Sequence, residues 1–122
     1  KEICRAADFC GVRSGCDLDK FEATGLTREK ASTVNVPLVK ESPVNIECKV
    51  TQVLELGSHD MFLAKVTAVQ VDESLLDEKG KLDLNKAHLV AYSHGEYQTF
   101  DNILGTFGYS MKKKDKKEKK KH

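Results

Sequence analysis

Residues 41–73, ESPVNIECKVTQVLELGSHDMFLAKVTAVQVDE, constrain the fold most, because two long apolar arms flank a short polar corner, Gly57-Ser58-His59-Asp60. Val44, Ile46, Cys48 and Val50 alternate with Asn45, Glu47, Lys49 and Thr51. A period of two is expected when a strand buries one face and wets the other. The adjacent apolar pair Val53 and Leu54 breaks the alternation and predicts a bulge, or a strand covered on both faces. The return arm, Met61 to Val71, is apolar except mainly at Lys65, Thr67 and Gln70, so it is expected to be buried on both sides or to curl into a barrel. Gly57 supplies the backbone freedom of a tight corner, and Ser58, His59 and Asp60 all tolerate turns. The expectation is a long β-hairpin with a histidine at its tip.

The flanking segments are shorter and more mixed. Ile3, Cys4, Ala6, Ala7 and Phe9 share one side of a short helix that Gly11 is expected to stop, and Ser14 or Asp17 is expected to cap a second helix ending at Gly25. Between them, glycines bracket Arg13 and Ser14. This loop suits an anion or cofactor, since glycine admits close backbone approach and arginine pairs with phosphate; the alternative is an ordinary interhelical connection. Residues 31–43, with Pro37 and Pro43, read as an extended linker. Beyond the hairpin, residues 77–80 read as a turn and 83–87 as a short helix. Residues 89–92 and 97–100 form a strand pair about His94-Gly95-Glu96, and 103–108 close the ordered body. The sum is a mostly antiparallel β protein with short helices inserted early.

A chain of 122 residues fits a single domain. No stretch approaches the roughly 20 apolar residues of a membrane span, and no cleavable signal pattern opens the chain, so a soluble cytoplasmic protein is expected. Four cysteines without a secretory signal point to reduced thiols, and the six-residue spacing of Cys4, Cys10 and Cys16 does not match close CxxC pairs of metal or redox sites. The net charge of +1 conceals an asymmetry: residues 112–121 hold eight lysines against Asp115 and Glu118, leaving an acidic body with a basic end. Residues 111–122 are expected to be a disordered lysine-rich tail. Without aromatic or arginine interleaving, it reads as solvated, and a nucleic-acid role is not expected.

Five blocks then carry a family resemblance: DFCGVRSGCDLDKF (8–21), ESPVNIECKV (41–50), LELGSHDMFLAKVTAVQVDE (54–73), LVAYSHGEY (89–97) and LGTFGYS (104–110). In this order they resemble the C-terminal part of the flavin reductase-like FMN-binding proteins, across nearly all of residues 5–110. The resemblance implies a mainly β, Greek-key-like antiparallel split β-barrel, incomplete in this chain and occupying residues 1–110. It also implies a homodimer, FMN as cofactor and, in many members, NAD(P)H as electron donor. Members of that family normally carry a further stretch before the point corresponding to Lys1. A preceding segment, a complementary chain or a second subunit is therefore expected to cover the open strands.

Roles follow the matching positions only. His59 falls where the family's hairpin motif places a histidine on the nicotinamide side of the flavin, although Ser58 stands where many members have an acid. Histidine is the side chain suited to orienting an amide or moving a proton near neutral pH. The alternative is a solvated turn histidine. Tyr97 is a second candidate for the dinucleotide face; the alternative is an aromatic cross-strand pair with Tyr92. Cys10, Gly11 and Ser14 match a segment near the flavin, and Arg13 is a candidate for its phosphate. The expected activity is an NAD(P)H-dependent flavin reductase working with an external redox acceptor. The alternatives are an FMN electron carrier without its own NAD(P)H activity, or a non-catalytic barrel fragment serving dimerisation with a basic interaction tail.

Overall fold

A computed structural model of the chain describes residues 3–100 and 102–111, so the lysine-rich segment 112–122 lies outside the described residues. Helix α1 (Cys4–Val12) runs through Gly11 and ends where Arg13 turns extended. A glycine in the last turn weakens a helix without stopping it. Helix α2 (Lys20–Thr24) is capped by Asp19, whose carboxylate accepts from the Phe21 and Glu22 amides at 2.9 and 3.2 Å. The cap is therefore Asp19, not Ser14 or Asp17. Ser14 instead accepts the Cys16 amide at 3.2 Å. Helix α2 ends at Gly25 as expected, with φ +71°. A Cβ there would meet nothing within 4 Å, so a substitution meets backbone strain alone. Gly25→Ala should destabilise by roughly 1 kcal/mol, read as a lower urea midpoint at constant slope; an unmoved midpoint would show that this turn tolerates a side chain.

Strands β1 (Arg28–Glu29) and β2 (Leu38–Val39) form a small antiparallel pair, β2 falling inside residues 31–43, which the sequence suggests are an extended linker. Next comes the dominant element, the antiparallel hairpin of β3 (Val44–Glu55) and β4 (Asp60–Val71), paired from Val44 opposite Val71 to Glu55 opposite Asp60. Its register shifts lie between Glu47 and Cys48 and between Val50 and Gln52, earlier than the apolar pair Val53–Leu54 suggests. Single-turn 3-10 helices span Glu73–Leu75 and Leu84–Ala87. A last hairpin joins β5 (Val90–Ser93) to β6 (Glu96–Thr99). Its corner residues His94 and Gly95 both have positive φ, +52° and +80°, the arrangement that matches the twist of a two-residue hairpin.

Which face of β3 is covered reverses the simple expectation. Ile46 and Val50, on the apolar face, are 59% and 53% exposed, whereas Glu47 on the polar face is 1% exposed. The cause is segment 31–42, which folds onto the polar face and delivers backbone groups to it. Asn45 accepts from the Val39 amide and donates to the Val39 and Ser42 carbonyls, each at 3.1 Å. Glu47 receives five hydrogen bonds, from the amides and hydroxyls of Ser32 and Thr33 and from the Gln70 amide, at 2.6 to 2.9 Å. These donors hold its carboxyl well below the usual carboxylate range, the Gln70 contribution being the largest. Strand β4 is open on both faces near the hairpin tip, with the adjacent Phe62 and Leu63, which point to opposite faces, 62% and 42% exposed. The three two-stranded sheets are not joined into a closed barrel within this chain.

Candidate functional site

The residues singled out above fall into two places. Cys10, Gly11, Arg13 and Ser14 lie at the end of α1 and in the loop after it. Tyr97, on β6, is drawn to the same helix: its hydroxyl donates to Asp8 Oδ1 at 2.9 Å, across 89 positions of sequence. Tyr97 also faces its cross-strand partner Tyr92, with ring centroids 5.1 Å apart and planes at 60°. The cross-strand aromatic pair named as the alternative for Tyr97 is thus present, and the same tyrosine reaches the helix that carries Cys10 and Gly11. Hydrogen bonding to the Asp8 carboxylate, followed by partial burial, pushes the Tyr97 phenol above its ordinary value of 10.

Other contacts fix the loop that leaves α1. Lys20 Nζ donates to the Cys10 carbonyl at 2.6 Å, tying the end of α1 to the start of α2. The Arg28 guanidinium forms an ion pair with Asp19 and lies 4.5 Å over the Phe21 ring, bracing α2 from its other side. Cys10 borders a small apolar cavity of about 210 Å³ with Phe21, Leu26 and Val39. A larger cleft of about 640 Å³, bordered by Ala6, Phe9, Ala23 and Leu26, is lined by none of the candidate site residues. All four cysteines are free thiols.

His59 stands apart from this group. It sits at the exposed tip of the β3–β4 hairpin, closed by the Leu56 amide donating to the His59 carbonyl at 3.0 Å, with Gly57 at φ +89°. Its ring Nδ1 lies 2.9 Å from Ser58 Oγ, which leaves Nε2 as the outward-facing atom. Among the described residues, no hydrogen bond joins its ring to the α1 segment.

The donor set suits a flavin nucleotide. Among the described residues the Arg13 guanidinium has no ionic or hydrogen-bonded partner, so it is available to an anion. The Ser14 hydroxyl uses its oxygen as an acceptor and keeps its proton to donate. Gly11 presents open space where a Cβ would stand. Two residues were not legible as participants from the sequence. Asp8 lies inside the DFCGVRSGC block, yet nothing in the block marks it as the partner of Tyr97. Glu47 reads as one more polar residue of an alternating strand.

Comparison with solved structures identifies the architecture. The chain superposes on the flavoredoxin of Desulfovibrio vulgaris (Miyazaki F) with a TM-score of 0.80 and 33% identity, over 92% of this chain and 61% of that one. A flavin reductase with a split barrel domain from Shewanella frigidimarina matches with a TM-score of 0.71 and 28% identity, over 87% and 55%. The fold is that of the split-barrel flavin reductases and flavoredoxins. The chain belongs to the flavin reductase like domain family, which matches residues 2–101. Among curated relatives, an uncharacterized protein of Archaeoglobus fulgidus is 33% identical over 86 residues, covering 70% of this chain and 48% of the relative. One from Pyrococcus abyssi is 33% identical over 103 residues, covering 84% and 58%. The chain thus spans about half the length of the curated relatives it matches. Among the described residues, no helix is long and apolar enough to cross a membrane.

Proposed function

We propose that the chain forms the C-terminal part of an FMN-binding split-barrel oxidoreductase in which NAD(P)H reduces flavin for an external redox acceptor. The observation that carries this reading is the Tyr97–Asp8 contact, which draws the nicotinamide-side candidate onto the helix leading to Cys10, Gly11, Arg13 and Ser14. Bound FMN would supply the hydride-accepting ring. Arg13 contributes positive charge to its phosphate, Ser14 a hydroxyl donor, and Gly11 room for backbone approach. His59 offers Nε2 to the nicotinamide edge, while Ser58 fixes the opposite ring nitrogen. Positioning of this kind suffices, because hydride transfer between two rings needs alignment and no protein nucleophile.

The open faces of β3 and β4 support the second half of the proposal. Exposed Ile46, Val50, Phe62, Val66 and Val69 form an apolar surface, and such strand faces associate when left uncovered. The rest of the barrel and a second subunit cover them, making the working unit a homodimer.

The similarity to flavoredoxins favours a second reading, an FMN electron carrier that receives electrons from another protein. One preparation separates the readings. Purified protein carrying the complete barrel should be yellow, bind FMN, and oxidise NADH or NADPH when FMN is present. Yellow protein that leaves both dinucleotides untouched would select the carrier; colourless protein that takes up no FMN would defeat both.

A further inference from the structure

Asp8 and Tyr97 make a contact whose chemistry restricts what Tyr97 can do to a ligand. A phenol carries one proton and two lone pairs, so it is ordinarily able to donate or accept. Here the proton is directed at the Asp8 carboxylate, 2.9 Å away. An ionised carboxylate offers only acceptors, so the direction of this bond is fixed. The ring is held as well: Tyr92 meets it edge-on at 5.1 Å, and the His94-Gly95 corner sets the pairing of the two tyrosines directly opposite each other. Tyr97 nevertheless remains 45% exposed, so the residue is not sealed behind its partners.

We propose that Asp8 is a positioning residue that commits the Tyr97 proton and leaves the phenolic oxygen as a hydrogen-bond acceptor for the carboxamide N–H of a nicotinamide dinucleotide. The inference rests on the placement of Tyr97 on the dinucleotide face. It adds a specificity rule to that placement. A carboxamide carries N–H donors and fits an acceptor oxygen. A ligand with a methyl group in place of that nitrogen forfeits the bond and leaves the Tyr97 oxygen unpaired against it. Partial burial and the negative charge of the Asp8 carboxylate act in the same direction as the hydrogen bond, both disfavouring a phenolate at this position. The proton therefore stays on Tyr97, between its oxygen and Asp8.

Two measurements on the protein carrying the complete barrel test this. The first needs no dinucleotide: ring-labelled tyrosine NMR follows the phenol titrations of the chain's three tyrosines, with Tyr97→Phe assigning the signal of Tyr97. Asp8→Ala should move the Tyr97 midpoint to lower pH; an unmoved midpoint would overturn the role of Asp8. The second compares kcat/KM for reduced nicotinamide adenine dinucleotide and its 3-acetylpyridine analogue, which has a methyl group in place of the amide nitrogen. Intrinsic differences in reactivity between the two cancel when the ratio is compared between variants. Tyr97→Phe should reduce the preference for the carboxamide about tenfold, the worth of one hydrogen bond. Asp8→Ala should reduce it in part, and Asp8→Asn, whose amide oxygen still accepts from the phenol, should restore most of it. An identical ratio in wild type and Tyr97→Phe would overturn the acceptor role. Failure of the wild-type protein to oxidise either dinucleotide would instead defeat the reductase reading and the carboxamide contact with it, while the phenol titration still decides what Asp8 does.

Discussion

Glu47→Gln is expected to lower the melting temperature of the protein by roughly 10 °C, an effect at the large end for a single polar substitution. The side chain is 1% exposed and its two oxygens take five hydrogen bonds, with no lone pair given to solvent. Glutamine is nearly isosteric, but one oxygen becomes an amide donor. Whichever way that amide turns, its N–H groups face donors, either the Ser32 amide, Ser32 hydroxyl and Gln70 or the Thr33 amide and hydroxyl. The hydroxyls can rotate to accept; the backbone amides cannot, and a buried amide without an acceptor is costly. Damage should extend beyond one contact, because Thr33 also meets Thr67 at 2.6 Å and Gln70 donates to Ser32 at 3.1 Å. Thermal unfolding followed by circular dichroism provides the check, and an unchanged melting temperature would show that segment 31–36 is held by other means.

The same carboxylate predicts an acid limit. Its proton affinity is lowered in the folded chain relative to the ordinary value of 4.5, so near and below that pH the unfolded chain binds more protons than the folded one. Stability from Glu47 is therefore fully present above pH 4.5 and declines as the pH falls below it. Glu47→Gln should remove this part of the acid dependence, leaving a shallower fall of melting temperature with pH in the variant than in the wild type.

Glu47 also marks the boundary of what a sequence of this kind reveals. Period-two alternation over residues 44–50 identifies a strand and sorts its side chains into two sets, and the hairpin forms with its tip at His59 as the polar corner implies. Alternation does not say what covers each set. The apolar set is largely open in this chain, and within the polar set Glu47 is buried by a segment whose Ser32 and Thr33 lie 14 or 15 positions upstream, in a stretch with no periodicity of its own. Capping shows a milder version of the same limit. Ser14, Asp17 and Asp19 are all chemically able to cap α2, and Asp19 is distinguished by Glu22 three positions later, the spacing of a helix start. Tyr97 was visible as an aromatic in a family-like block; its pairing with Asp8 needed the fold, because a contact spanning 89 positions leaves no local trace.

The candidate residues of this chain are divided between a braced region and an exposed one. At the α1 end, Lys20 holds the Cys10 carbonyl, Asp19 caps α2, and Asp8 fixes Tyr97, so the flavin-side candidates are presented by short, mutually tied elements. Among the described residues, the His59 ring makes one side-chain hydrogen bond, to Ser58, at the end of two 12-residue strands. On the proposed reading, binding and positioning are separable: a change at the tip alters approach of the dinucleotide and leaves the α1 contacts intact.

That separation gives the second large effect. His59→Ala should lower kcat for NAD(P)H-dependent flavin reduction by roughly a hundredfold, the low end of what a positioned proton-moving side chain contributes. The FMN dissociation constant should change little, since the proposed phosphate and hydroxyl contacts lie at Arg13 and Ser14. Ser58→Ala should show the same pattern weakly: the imidazole survives, but the hydroxyl that holds Nδ1 at 2.9 Å is gone and the ring is free to turn. Stopped-flow reduction by NADH and NADPH, paired with FMN titration monitored by flavin fluorescence, resolves the two quantities in each variant. Loss of FMN binding in parallel with rate would place His59 in the flavin pocket and not on its nicotinamide side. Full retention of both would return it to the status of a solvated turn residue, and the nicotinamide edge would then have to be read by Tyr97 alone.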